Sequence, residues 1–110
     1  MPAYVIANIR VKDPEGYKEY MKLSGPALEA HGGRFLVRGG PVETIEGKRF
    51  GDRLVILEFP SGDAVRAFYS SPGYQEVMKF RHAASDVTFL LAEGVPEGTV
   101  APDDKVVKSN

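Results

Sequence analysis

The sequence contains no cysteine. That removes disulfides, thiolate nucleophiles and cysteine-based zinc sites from consideration. It fits a reducing compartment, and a cytoplasmic location is the default expectation. No apolar run approaches the roughly 20 residues that a membrane-spanning helix needs. Met1-Pro2-Ala3-Tyr4 leads straight into a strand-like pattern, without a charged segment followed by an apolar one, so no signal peptide is expected. Net charge is also nearly absent: 14 basic and 15 acidic residues among 110 leave -1. A balance this even gives no electrostatic reason to bind nucleic acid or an anionic membrane, and no basic cluster or arginine-rich arm is present. Phosphate-cradling glycine loops, dinucleotide fingerprints and the GxSxG elbow are missing. The single Arg38-Gly39-Gly40 is no RNA-binding tract. The two histidines, His31 and His82, form no HxH or HxxxH pair, so no metal site is expected.

What remains is a chain long enough for one domain with a modest core, of ordinary globular composition. Ala3 to Val11 alternates as a strand, with Val5, Ala7, Ile9 and Val11 on one phase. Asp13-Pro14 reads as a helix start, an N-cap followed by proline at the first helical position. Ser24-Gly25-Pro26 interrupts the pattern that follows, because proline inside a helix costs about 3 kcal/mol, so two helical segments are expected before Gly32-Gly33. Arg34 to Arg38 is a second strand, broken or bulged at Gly39-Gly40-Pro41 and resumed over Val42 to Ile45. Arg53 to Phe59 is a third, with Val55, Leu57 and Phe59 on one phase. Ser61 and Ser71-Pro72 each cap a helix, and Val87 to Ala92 is the last strand.

The order β-α-β-β-α-β predicts an α+β, ferredoxin-like fold: a four-stranded antiparallel sheet with its helices on one face. The second phase of each strand is too apolar for open water. Ile6, Leu36, Leu54, Ile56 and either Phe89 or Leu90 fall on it. A patch of that kind predicts a partner. Two such sheets face to face make a dimeric α+β barrel, so a homodimer or higher homo-oligomer is expected, with a small-molecule site inside. The domain is placed at residues 1–94. Residues 95–110, punctuated by Pro96, Gly98 and Pro102, form a C-terminal tail lying on its own subunit or its partner.

The stretches "AYVIANI", "GGRFLVRGGPVE", "RLVILEFPS", "FYSSPGYQEV" and "FLLAEG" together resemble the family called domain of unknown function 1330, over about Pro2 to Gly94. That resemblance implies membership of the dimeric α+β barrel superfamily. The superfamily includes cofactor-free quinone-forming monooxygenases, muconolactone isomerase-like enzymes and haem-using chlorite dismutase-like proteins. It implies the barrel and the dimer but no reaction, since a shared fold does not carry function.

Several side chains are candidates for a site. Arg38 and Glu58 each sit among leucine and isoleucine neighbours of one phase. If both face the barrel interior they should pair with each other or with other groups, because an unpaired buried charge costs several kcal/mol. As a site, Arg38 binds or polarises an oxyanion and Glu58 moves a proton; as structure, the two form an ion pair at a strand end. His31 is a general base or a helix-terminal residue favoured by the dipole. Tyr74, Val77, Met78 and Arg81 share a helical face, which is core or cavity wall, and Tyr69 stands beside the break at Ser70-Ser71-Pro72-Gly73. Tyr17 and Asn8 complete the ligand-binding candidates. The functional expectation is a small-molecule enzyme or binding protein without metal or other cofactor. It would act by proton transfer, or by oxygenation in which the substrate supplies the electrons. Arg38 would hold the oxyanion, Glu58 or His31 would be the base, and Tyr69 a donor. The alternative is a non-catalytic ligand-binding or stress-related homodimer.

Overall fold

The computed structural model describes residues 1–96. All but the first two residues of the expected tail lie outside the described residues. The elements run β1 (Ala3–Val11), α1 (Pro14–Ala30), β2 (Arg34–Arg38), β3 (Arg53–Phe59), α2 (Gly62–Ser70), α3 (Pro72–Ala84) and β4 (Ser85–Glu93). The four strands form one antiparallel sheet in the order β2-β3-β1-β4. This is the ferredoxin-like arrangement. Ala3, Val5, Ala7, Ile9, Val55, Leu57 and Phe59 point from the sheet into a core closed by Tyr17, Leu28, Val65, Phe68, Tyr74 and Met78 of the helices.

Local chemistry sets most of the boundaries. Ser61 and Ser71 cap α2 and α3, accepting from the amides of Ala64 and Tyr74. Gly32, at φ 77°, closes α1. Its amide donates to the Glu29 carbonyl while the Gly33 amide reaches Leu28, the paired bonds of a Schellman motif.

Three expectations need correction. The two helical segments before Gly32 are one continuous α1, with Pro26 inside it. Tyr17, Ser24 and Leu28 are buried along one stripe of α1 that continues past the proline, and this burial outweighs the lost backbone bond. Pro26 itself is exposed. Next, β2 does not resume over Val42 to Ile45. Gly39, at φ 72°, turns the chain away and Pro41 has no amide to offer a sheet.

The third correction concerns the faces of β2. Arg34 pairs with Glu58 and Phe35 with Leu57, but Val37 then pairs with Ile56 and Arg38 with Val55. Leu36 is the extra residue of a β-bulge, which lies within the strand rather than at Gly39-Gly40. Past a one-residue slip, every side chain changes face. Val37 therefore joins Ile56 on the open side of the sheet. Arg38 joins Val55 on the helix side, not the barrel side where alternation from Arg34 had put it.

The face away from the helices carries Ile6 between Ile56 and Leu90, with Leu54 and Val37 nearby. Leu90, not Phe89, is the β4 residue on this side. In a single chain Leu36 and Leu90 are 45% and 53% exposed.

Because Pro26 is exposed and lacks the amide that would bond to Lys22, Pro26→Ala should stabilise the fold. The gain expected is about 2–2.5 kcal/mol, the helix-interior penalty of proline less its advantage in the unfolded chain. A higher denaturant midpoint at unchanged slope checks this.

Candidate functional site

A cavity lies between the sheet and the helix pair α1 and α3. Ala7, Ile9, Val55, Leu57, Phe35 and Phe89 form its floor, and Tyr17, Tyr20, Met21, Ser24, Leu28, Phe68 and Arg81 its roof. Arg38 and Arg53 stand at one end, which continues into an outer groove with Met21, Lys18 and Lys22. The inner volume is about 30 Å³. That has room for about two waters. A larger ligand must displace Met21 and Arg38 outward, and both are side chains with long flexible stems.

Three arginines reach this cavity, at graded depth. Arg38 is exposed at the mouth, its guanidinium carbon 4.2 Å from the Phe35 ring centroid and its Nη2 donating to the Met21 carbonyl at 3.5 Å. Arg53 is half-buried. Its Nη2 donates to Met21 Sδ and to the Arg38 carbonyl, each at 3.4 Å, and its guanidinium lies 5.5 Å from the Tyr17 ring centroid. Arg81 is 3% exposed and stacks 4.9 Å from Phe89. None of the three forms an ion pair among the described residues. The Nε atoms of Arg53 and Arg81 are buried without a hydrogen-bond partner among the described residues. A buried guanidinium with an idle donor costs several kcal/mol, a deficit that an anion would remove.

Glycine at position 39 makes this possible. A Cβ there would collide with the Arg53 guanidinium, which lies directly against the Gly39 backbone. The same residue needs its positive φ to leave β2.

The tyrosines form the polar part of the roof. Tyr20 and Tyr74 hydroxyls lie 2.6 Å apart. Burial pushes the Tyr20 phenol far above its ordinary value, reinforced by Tyr74 beside it. Burial also raises Tyr17 and Tyr74, offset in part by the charges of Arg53 and Arg81 respectively. All three therefore remain neutral hydrogen-bonding groups.

The predicted site residues divide. Tyr17, Arg38 and Arg81 line the cavity. Tyr74 is fully buried behind Tyr20. Tyr69 lies on the far side of Phe89, its ring 5.7 Å away, in a separate apolar hollow beside β4. Glu58 is on the open face of the sheet, so it cannot pair with Arg38. Its Oε1 accepts from Nε and Nη2 of Arg34, both at 2.7 Å. Asn8 shares that face, between Leu54 and Thr88. His31 sits at the end of α1, its Nδ1–H donating to the Ala27 carbonyl at 2.9 Å. Neither Glu58 nor His31 lines the cavity, and among the described residues no carboxylate or imidazole does. Among the described residues no group of three His, Asp or Glu side chains comes together to hold a metal ion. No described helix is long and apolar enough to cross a membrane.

Arg53 and Tyr20 are the residues that sequence reasoning missed. Arg53 had a signal: it begins the buried phase Arg53, Val55, Leu57, Phe59. Tyr20 had one too, on the α1 stripe with Tyr17, Ser24 and Leu28.

The comparisons with known proteins agree with this architecture. The family model "Domain of unknown function (DUF1330)" matches residues 2–95. The chain belongs to that family. Among solved structures, a protein of unknown function from Rhodopseudomonas palustris is 25% identical, with a TM-score of 0.71, covering 86% of this chain and 82% of that one. SnoaB from Streptomyces nogalater, a cofactor-independent oxygenase, is 15% identical with a TM-score of 0.59, covering 93% and 98%. A dimeric ferredoxin-like protein of unknown function from Jannaschia sp. CCS1 is 15% identical with a TM-score of 0.60, covering 86% and 100%. At 15% identity the last two share the fold alone. No curated protein matches the chain.

The raised phenols have a thermodynamic consequence. A tyrosine held protonated in the fold contributes stability that is complete below about pH 10 and lost as pH rises beyond it, because the unfolded phenol ionises first. Each such group should steepen the loss by up to about 1.4 kcal/mol per pH unit. Tyr20→Phe should therefore give a protein less stable at pH 7 but with a shallower decline above pH 10, measured by urea unfolding across pH 7 to 11.

Proposed function

We propose that the chain is a homodimeric small-molecule protein whose cavity between sheet and helices takes an organic anion with a flat, apolar body. The observation that carries this reading is the convergence of Arg38, Arg53 and Arg81 on one cavity that no carboxylate of the described residues lines. Phe35, Leu57, Phe68 and Phe89 supply an apolar wall for the body of the ligand. The guanidinium groups and neutral tyrosines supply charge and hydrogen bonds for its oxygen atoms. In a site this dry such groups act with more force than in water.

The one chemical act this lining supports is stabilisation of negative charge on a bound oxygen. An enolate or phenolate held in that way is electron-rich, the state in which a substrate itself supplies electrons for oxygenation. SnoaB, with the same fold, is a cofactor-independent oxygenase. Proton abstraction by Glu58 or His31 has no support, since neither reaches the cavity. A second reading, an anion-binding protein without catalysis, is favoured by a lining to which no described carboxylate or imidazole contributes.

Titration calorimetry with benzoate, and with benzamide as its uncharged counterpart, tests the anion site. Benzoate should bind and benzamide should not. Arg53→Gln should weaken benzoate at least tenfold, as expected for loss of a charge-assisted hydrogen bond. Equal binding of both compounds, or a wild-type affinity in Arg53→Gln, would sink the reading.

Dimerisation is supported by the apolar open face around Ile6, Ile56 and Leu90, and by the dimeric protein from Jannaschia sp. CCS1. Ile56→Asp should convert the dimer to a monomer in sedimentation. Arg38→Ala, on the other side of the sheet, should leave the mass unchanged.

A further inference from the structure

Arg81 is the deepest charge in the protein. It is 3% exposed, and it lines the cavity. Its guanidinium lies 4.9 Å from the Phe89 ring centroid, a stacking contact that uses none of its N–H donors. Its Nε is buried without a hydrogen-bond partner among the described residues, and no described carboxylate pairs with it. Whatever meets that donor has to come through the cavity.

The other idle Nε belongs to Arg53, across the cavity. Arg53 begins β3, whereas Phe89, under the Arg81 guanidinium, belongs to β4. β1 runs between these two strands. The backbone positions of Arg53 and Phe89 therefore stand about 10 Å apart across the sheet, two strand spacings. Arg53 is level with Ile9 and Val87, and Phe89 with Ala7 and Val55. Ala7 puts the smallest side chain of the floor on the strand between the two ends, which leaves the most room there for a flat ring. Arg38 joins Arg53 at the mouth. The positive charge is thus divided, with two guanidinium groups at the entrance and one at depth. A ligand with a single anionic group meets only one of these ends.

We propose that the ligand is a bifunctional anion: a flat apolar ring with a carboxylate held by Arg38 and Arg53 at the mouth, and a second anionic oxygen group on the far side of the ring held by Arg81. Arg81 is then the residue that sets specificity. A guanidinium carries donors and no acceptor, so it selects an acceptor-only group at the deep end. A ligand whose far end is bare leaves that donor buried and unpaired. The inference rests on the anion-site reading above and narrows it, from one anionic group to two held apart by the ring.

The test is titration calorimetry at neutral pH with benzoate, terephthalate and phthalate, in wild type and Arg81→Met. Benzoate reports the mouth alone. Terephthalate has its carboxylates at opposite ends of the ring and should bind roughly tenfold tighter or more, the range for a bond between charged groups. Phthalate carries the same charge on adjacent carbons and should bind about as benzoate does. In Arg81→Met, terephthalate should fall to the affinity of benzoate, and benzoate should keep its wild-type value. If terephthalate has no advantage over benzoate or phthalate, or keeps its advantage in Arg81→Met, the inference is overturned and the benzoate site stands. If none of these compounds binds wild type, the anion site falls as well. Should Arg81→Met fail to fold, the Nε–H resonance of Arg81 in nitrogen-labelled wild type gives the answer. Terephthalate should shift it and benzoate should not, and a resonance that terephthalate leaves in place overturns the inference.

Discussion

The one-residue slip at Leu36 governs where the charges of this protein go. Before it, Arg34 stands opposite Glu58 on the open face; after it, Arg38 stands opposite Val55 on the helix face. A regular strand would have placed both arginines on the same side, one of them with no carboxylate opposite. The bulge gives Arg34 its carboxylate and sends Arg38 to the mouth of the cavity. The cross-strand pair contributes at most about 1 kcal/mol. Its larger effect is negative: Glu58 is fully engaged with Arg34 and cannot neutralise the arginines beneath the helices.

Those arginines depend on backbone shape as much as on each other. Arg53 can lie beside the cavity because Gly39 has no side chain. The glycine also turns the chain out of β2, while its amide still donates to the Leu54 carbonyl at 2.9 Å. Strand end, turn and arginine seat are thus one feature. Arg81 is placed differently, by the face of α3 that also buries Tyr74 and Met78. Two independent elements deliver positive charge to one apolar cavity. No described ion pair relieves it there, which is hard to explain by stability alone. An apolar residue at 81 would pack in the same core without the desolvation penalty.

The fold was legible because its determinants are local. Alternation, the serine and proline caps and the Gly32-Gly33 stop define the elements, and their order restricts the topology. The site was less legible because it depends on register. No residue near Leu36 announces a bulge, and Gly39-Gly40 drew attention to the wrong place. Beyond the bulge Arg38 lies on the face opposite to the one alternation predicts, and Glu58 pairs with Arg34 rather than with Arg38. Pro26 misled for the opposite reason: a strong local rule gave way to burial of the α1 stripe on both sides of it. Arg81 lines the cavity on the α3 face that helical spacing picks out. Arg53 was open to the same reasoning, since a charge on the buried phase of a strand has to be accounted for by a ligand, a partner or a mouth.

The bulge also separates two tasks on one sheet. Apolar residues of the open face, Ile6, Val37, Leu54, Ile56 and Leu90, have no ligand chemistry of their own. The helix face holds the cavity and its charges. A contact that covers the open face need not touch the arginines, and a ligand entering past Met21 need not cross the interface. The sheet itself still links them. Ile56 and Val55 are adjacent residues on opposite faces of β3, and Val55 is the cross-strand partner of Arg38. Pressure on the open face therefore acts on the strand that holds Arg53 and the backbone opposite Arg38.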